Sequence, residues 1–321
     1  MLGYLIVAPN NMDTPLFSVI TPVYNCAEYI EETIKSVLTI ASEFSFEYIV
    51  VNDGSTDETA SILDQYRSKI IVITTHNSGE SSAVNIGINS ARGKYVLVVS
   101  ADDPLYTNKL FQDVHSIFCA NPEVNVLYPD WRMIDTNGEL VKEVSVPSFS
   151  LDALIGENRT LPGPGAFFRL EPARAIGGRN PRWKFVGDFD FWLRMSTMGG
   201  FLHRRETLAQ WRQHQNSTSI AHRGLEMAKE RIDVIDEFLS SYPVDTKLAR
   251  KARSSSYYLA ARLCYFDSRI PGRQLVLRSI LTRRGWPKQI KLKEFFYLLG
   301  LPLTRYMLTA SRYLWQILRG R

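Results

Sequence analysis

Apolar runs that end abruptly in polar clusters punctuate the first hundred residues. Phe17–Pro22, Tyr48–Asn52, Ile70–Thr74 and Tyr95–Ser100 read as strands. Near-continuous apolar runs of this kind mark parallel strands buried on both faces. Between them, residues 27–38, 57–66 and 81–91 carry helical periodicity. Strands alternating with helices predict βαβ units and a parallel sheet with helices on both faces. Further on, Asn137-Gly138 separates Arg132-Met133-Ile134 from Leu140-Val141-Lys142, a hairpin signal. Residues 161–168 begin as a Pro/Gly loop and turn into a strand, and residues 188–198 form an amphipathic helix with Phe191, Trp192 and Met195 on its apolar side. Beyond Ala221 the pattern is helical, broken at Pro243, Pro271-Gly272, Gly285 to Pro287 and Gly300 to Pro302. There is no internal repeat or low-complexity tract. The expected organisation is an α/β domain over residues 1–220 and a helical region over residues 221–321.

The strand tips carry the chemistry. Ile49-Val50-Val51 runs into Asn52-Asp53-Gly54-Ser55-Thr56-Asp57, and Val96-Leu97-Val98-Val99 into Ser100-Ala101-Asp102-Asp103. In open α/β sheets ligands bind outside the carboxyl ends of the strands. Acids at two such tips fit a metal-bound, polyhydroxylated or phosphorylated ligand. Asp, Ser and Thr are also good N-caps, so a helix cap is the alternative at each tip. No Gly-x-Gly-x-x-Gly fingerprint and no P-loop occurs, which removes the dinucleotide and P-loop NTPase classes.

In their order, these segments resemble family 2 glycosyltransferases of the GT-A fold. The motifs are Ser18–Asn25, Asn52–Asp57, Asn77-Ser78-Gly79, Asn85-x-Gly87, Gly93-Lys94-Tyr95, Ala101-Asp102-Asp103, Gly187–Arg194 and Trp211–Ser217, covering residues 16–220 or so. The resemblance implies an α/β fold of GT-A (Rossmann-like) type: a mixed sheet flanked by helices, with a C-terminal helical extension. It implies an inverting glycosyltransferase of hexosyltransferase type, moving a sugar from a nucleotide donor to a glycan hydroxyl. Asp53, an acceptor at a strand tip, suits the imide N–H of a pyrimidine, which favours UDP or dTDP. Thr21, Pro22, Tyr24, Asn25 and Glu28 are then expected around the base. Asn77, Gly79, Asn85, Lys94 and Ala101 follow on the donor, with Trp211, Arg212 and His214 closing on the diphosphate. Asp103, Asp102 and His214 are the expected ligands of Mn²⁺ or Mg²⁺, hard cations that take oxygen ligands, with Asp102 holding either the donor's ribose or a metal-bound water and a merely solvated ring as the alternative for His214. Asp188 is the expected catalytic base, with a helix cap or a dipole-stabilised first-turn acid as its alternative. Asp190, Gly165 and Trp192 are candidates for the acceptor side, with structural roles open for Asp190 and core packing for Trp192.

Three positions depart from the family pattern. Ser100 stands where an acid is frequent, Gly187 where Glu commonly precedes the base, and Val84 where Arg is frequent. They keep open a non-catalytic nucleotide-sugar-binding or scaffold protein of the same fold. A nucleotidyltransferase is disfavoured, since no Gly-rich basic loop follows the first strand.

Charge separates the two regions. Of 321 residues with net charge +5, residues 247–321 hold 17 Lys and Arg against Asp267 and Glu294, a net +15, which leaves −10 before them. A basic tail implies an anionic partner. In the last helix Arg305, Thr309, Arg312, Gln316 and Arg319 form a narrow polar stripe on an apolar, aromatic helix, the pattern of an interfacial membrane helix. Packing on the protein or in a homodimer is the other use of such a helix. No nucleic-acid-binding motif accompanies the charge. Together these features suggest an acceptor at the inner face of the membrane, with a cytoplasmic, membrane-peripheral location; the family resemblance then implies a lipid-linked glycan of polysaccharide assembly as that acceptor. Three scattered cysteines, a non-basic N-terminus and the lack of any bilayer-length apolar run agree with that expectation.

Overall fold

A computed structural model describes residues 14–40, 44–214, 224–264 and 269–283. The predicted interfacial helix, most of the loop 213–219 and the first 13 residues lie outside the described residues. The chain divides into two compact units, residues 1–150 with 160–220, and residues 151–159 with 221–321.

The first unit is built on one sheet in the order β3-β2-β1-β4-β7-β5-β6, with β8 also paired to β5. Strands β1 (Phe17–Val23), β2 (Phe46–Asn52), β3 (Ile71–Thr74) and β4 (Tyr95–Val98) run parallel. The predicted parallel run is this half of the sheet. The other half is mixed: β7 (Phe167–Arg169) is antiparallel to β4 and β5 (Val124–Ile134), and β6 (Leu140–Val144) closes the Asn137-Gly138 hairpin. The long β8 (Gly200–Arg212) lies parallel to β5 through several register shifts. Neither β8 nor the start of β5 is legible in the apolar pattern, because β8 interleaves charged and apolar residues without strict alternation.

Helices α1 (Ile30–Ile40), α2 (Thr59–Asp64), α3 (Glu80–Ser90) and α4 (Lys109–Ala120) follow β1 to β4. The short α5 (Leu170–Ala175) and then α6 (Gly187–Met195) follow β7. Alternation along β7 splits the core: Phe167 packs its ring 4.9 Å from Phe111 of α4, and Phe168 packs 5.2 Å from Phe191 of α6.

The amino edge of the parallel sheet is closed by one buried acid. Glu47 accepts hydrogen bonds from the Ser18 hydroxyl at 2.7 Å, the Arg92 Nε at 3.0 Å and the Gly93 N–H at 3.3 Å. A β-carbon on Gly93 would lie 2.5 Å from the backbone of Phe17 and Ser18, atoms that have no room to move. The Gly-Lys-Tyr motif is thus a packing signature of the edge that faces away from the acid-bearing tips.

The second unit joins a π-helical turn, Asp152–Gly156, to α7 (Gly224–Ser241), α8 (Thr246–Cys264) and α9 (Arg269–Arg283). Small residues let these helices approach closely. The Ser254 hydroxyl donates to the Ser279 carbonyl at 2.8 Å, and the Ser279 hydroxyl donates back to the Ser254 carbonyl at 2.7 Å. Ser255 donates to the Gly156 carbonyl at 2.7 Å, binding the turn to α8. Among the described residues no helix is long and apolar enough to cross a membrane.

Gly93→Ala is expected to destabilise the first unit at the upper end of the about 1–3 kcal/mol typical of overpacking. A lowered urea midpoint at unchanged slope checks this.

Candidate active site

Parallel β1, β2 and β4 deliver their carboxyl tips to one edge, and side chains lock those tips together. Asn25 follows β1 at φ +47°. Its N–H donates to the Ser55 hydroxyl at 3.0 Å, and its side-chain carbonyl accepts from the Thr56 N–H at 2.7 Å. The Ala27 N–H donates to Asp57 at 3.1 Å, and Asp57 also caps Thr59 at 3.0 Å. Gly54 bends the β2 tip at φ +76°, where a β-carbon would meet the Asn77 nitrogen at 2.8 Å. Only glycine fits both demands.

Asp53 is 3% exposed, and its carboxylate faces the loop before α3. Ser78 N–H donates to one oxygen at 2.9 Å, and Gly79 N–H donates to the other at 2.8 Å. The side chain that meets the start of the helix after β2 is Asp57, through the Thr59 N–H, whereas the Asp53 carboxylate turns to Ser78 and Gly79. A carboxylate oxygen has more than one acceptor site, so Asp53 retains acceptor capacity. Asn77, Gly79, Tyr24, Asn25 and Glu28 are all exposed around this tip. Pro22 is half-buried there. The Thr21 hydroxyl is buried against the Tyr48 hydroxyl at 3.0 Å, so only its backbone can flank a ligand.

At the β4 tip, Thr33 of α1 donates to the Ala101 carbonyl at 2.9 Å. Asp102 pairs with His214, Oδ2 to Nε2 at 2.7 Å, and the His214 ring lies 5.3 Å from Tyr29. Asp103 is buried and accepts from the Arg212 N–H at 2.7 Å. Burial, and then the Asp102 charge, push the Asp103 carboxyl well above the usual carboxylate range. Burial is likewise the first cause, and Asp102 the second, that holds the Cys26 thiol up at about 12. The start of α1 and the β4 tip therefore share one local field. Two adjacent carboxylates in such a field form an oxygen donor set suited to a hard divalent cation. Mg²⁺-type ions typically take one or two carboxylates and complete their shell with phosphates and water. Among the described residues, no group of three or more His, Cys, Asp or Glu side chains converges as a metal cage.

Asp188 is exposed in the first turn of α6, one oxygen accepting from the Phe189 N–H at 2.7 Å. The preceding Gly187 is pressed against α3: a β-carbon there would lie 2.5 Å from the Ser81 hydroxyl. A side chain at position 187 would require the Ser81 hydroxyl to move. This contact also seats the Asp188 turn on the first turn of α3, next to the Ser78-Gly79 segment that Asp53 grips.

Several expected site residues are engaged elsewhere. Lys94 precedes β4, at the amino edge of the sheet, far from the tips. Asn85 spends its amide on the Arg179 backbone, accepting from the N–H at 2.7 Å and donating to the carbonyl at 2.6 Å. Arg212 is 1% exposed and points inward. Its guanidinium contacts Glu32 at 2.6 Å, the Thr136 carbonyl at 2.9 Å and the Asp102 carbonyl at 3.0 Å, over the Tyr29 ring. It organises the site without presenting charge to a diphosphate. Asp190 is buried in an ion pair with Arg194 of its own helix. Trp192 is buried among Phe168, Phe191 and Phe201. Both are structural. Gly165 (φ +79°) is held by close packing on Ala209 of β8. Trp211 is half-buried, edge-on to Trp131 at 6.1 Å. Ser78, Ser81 and Glu32 hold neighbouring segments of the site in contacts that sequence reasoning missed. Ser78 lies inside a recognised motif, whereas Glu32 meets its partner across 180 positions.

Residues 18–144 match the family model described as glycosyl transferase family 2. An uncharacterized glycosyltransferase of Rickettsia prowazekii is 28% identical over 258 residues, spanning 77% of this chain and 79% of that protein. The hyaluronan synthase of Pasteurella multocida is 27% identical over 233 residues, 70% of this chain and 23% of the synthase. Among solved structures, S. aureus TarS 1-349 in complex with UDP-GlcNAc is similar with a TM-score of 0.62 and 20% identity, over 88% of this chain and 79% of that one. The mannosyltransferase PcManGT of Pyrobaculum calidifontis, in complex with GDP-Man and Mn2+, gives a TM-score of 0.57 at 14% identity, over 96% and 82%. At these identities the structural likeness is one of fold.

Two outcomes are expected. Arg212→Met should cost about 1–3 kcal/mol, since it strands buried carbonyls and removes the buried partner of the exposed Glu32 carboxylate, and Arg212→Lys should recover little of it, lacking the planar fork; urea unfolding measures both. Because the thiolate is the nucleophile, iodoacetamide at about pH 8 should label exposed Cys119 while Cys26 stays largely unmodified. Cys26 reactivity should rise only as pH climbs toward about 12, its neutral form being the one the fold favours at lower pH.

Proposed function

This chain carries a family 2 glycosyltransferase domain on a GT-A fold, and from that premise we propose a metal-assisted, inverting transfer of a sugar from a nucleotide-sugar to a hydroxyl of a glycan. The observation that carries this reading is the junction on the first turn of α3. There Asp53 holds Ser78 and Gly79, and Gly187 brings the Asp188 turn against Ser81.

A donor lies across the β1, β2 and β4 tips, its base beside Asp53 and the Thr21–Tyr24 backbone. Acceptor capacity on Asp53 favours a pyrimidine imide, hence UDP or dTDP. The diphosphate faces Asp102 and Asp103, which would hold Mn²⁺ or Mg²⁺ together with phosphate oxygens. Such an ion neutralises charge on the leaving diphosphate. Asp188 accepts the proton of the acceptor hydroxyl as its oxygen attacks the anomeric carbon. The bond from that carbon to the diphosphate oxygen breaks, and a single displacement inverts the centre. His214 keeps Asp102 oriented through their hydrogen bond.

The strongly basic C-terminal region supports an acceptor at an anionic membrane surface, such as a lipid-linked glycan of polysaccharide assembly. One relative is by name a hyaluronan synthase, which agrees with a glycan acceptor. A second reading, a nucleotide-sugar-binding protein without transfer, is favoured by one observation: Asn85, Lys94 and Arg212 are all taken up away from the donor.

The test is nucleotide release from UDP-, dTDP- and GDP-sugars with Mn²⁺, Mg²⁺ or EDTA. Release should require the cation and fall by about 10²–10⁴-fold in Asp188→Asn, the span of general-base contributions, with donor binding retained. Cation-dependent binding with no release, with or without lipid-linked glycan acceptors, would support the binding protein instead. Binding of no donor would refute both.

A further inference from the structure

Helix α9 has two faces of opposite character. Gly272, Val276 and Ser279 are buried against α8, where Val276 clusters with Tyr258 and Ala261 and Ser279 holds Ser254. The outward face carries Arg273, Leu277, Arg278 and Leu281, all exposed. Leu277 is 57% and Leu281 is 67% exposed, the highest values for large apolar side chains among the described residues. They stand one turn apart, flanked by the two arginines. The helix holds four arginines, Arg269, Arg273, Arg278 and Arg283, and no acid, and the 38 residues after it add eight Lys and Arg against Glu294 alone.

We propose that this outward face of α9 seats on an anionic lipid surface, with Leu277 and Leu281 entering the headgroup–acyl boundary and Arg273 and Arg278 on lipid phosphates. The inference rests on the membrane reading above and gives it a contact within the described fold. Exposed leucines beside cations, on a helix without acids, are the composition of an interfacial helix. Anionic leaflets attract such arginines within a Debye length. A second copy fits less well. Two-fold pairing through this face would bring Arg273 and Arg278 toward their own counterparts, and like charges in an interface oppose association.

The test is co-sedimentation of the full chain with vesicles of phosphatidylcholine alone and of phosphatidylcholine mixed with phosphatidylglycerol. Wild type is expected to bind the mixed vesicles and to be released by salt. Leu277→Gln/Leu281→Gln is expected to weaken binding at least about tenfold with an unchanged melting temperature. Leu277→Ala/Leu281→Ala, which preserves helix propensity, should act in the same direction. The control Leu140→Gln/Val141→Gln removes an equally exposed apolar pair on β6 and should bind as wild type. Unimpaired binding by both leucine variants overturns the α9 contact and leaves the basic region as the membrane element. Failure of wild type to bind overturns both readings. A wild-type dimer that the leucine variants dissociate, seen by light scattering, overturns the lipid assignment in favour of a second copy.

Discussion

A single guanidinium, withdrawn almost wholly from water, ties the first unit together around its site. Arg212 reaches Glu32 on α1, the Asp102 carbonyl past β4 and the Thr136 carbonyl in the β5–β6 turn. A buried charge must be met by partners or it destabilises the fold, so these segments cannot drift apart independently. The same residue's backbone N–H fixes the Asp103 carboxyl. The acids at the β4 tip are thus placed by an ion with a purely structural role. Trp211 and His214, on either side of it in sequence, are carried to the site by that anchoring.

The parallel half of the sheet has two edges with different physics. At the amino edge, Glu47 saturates itself with local donors and Gly93 allows backbone to touch backbone. That edge is closed to chemistry. At the carboxyl edge, tips are held by side chain–backbone hydrogen bonds, and acceptor capacity is left over on Asp53 and Asp102. Parallel strands make this asymmetry possible, because every tip of one polarity emerges on the same side. Gly187 on Ser81 then adds a helix from the mixed half of the sheet to the carboxyl edge. This contact brings the Asp188 turn and the Ser78-Gly79 segment held by Asp53 together at one turn of α3.

The second unit relies on different forces. Serine hydroxyls clasp α8 and α9, small residues let the helices close up, and Lys251 pairs with Asp152 and Glu157. With α9 committed to α8 along Val276 and Ser279, its leucines and arginines face outward together. Among the described residues, the outer face of α9 leaves Leu277 and Leu281 exposed beside Arg273 and Arg278.

The sequence by itself determined the alternating strands and helices of the parallel half, the hairpin at Asn137-Gly138, and the acids at two strand tips. These are local properties: apolar runs and turn residues act over a few positions, and a parallel strand must emit its polar tip at the carboxyl end. It also revealed the basic C-terminal region, since charge sums without reference to structure. The tertiary structure alone decided which polar residues are left with free capacity at the strand tips and which are consumed elsewhere. Lys94, Asn85 and Arg212 sit in motifs as telling as Asp53 or Asp188, yet one is at the wrong edge and two are spent on distant backbone. It alone placed the segment 151–159 with the helical unit and raised β8 from a charged, irregular run to a full strand beside β5. Whether a polar group is available or consumed depends on partners far away in the chain, such as Glu32 for Arg212 and Arg179 for Asn85. Sequence periodicity holds no record of such pairings, because they exist only once the chain has closed on itself.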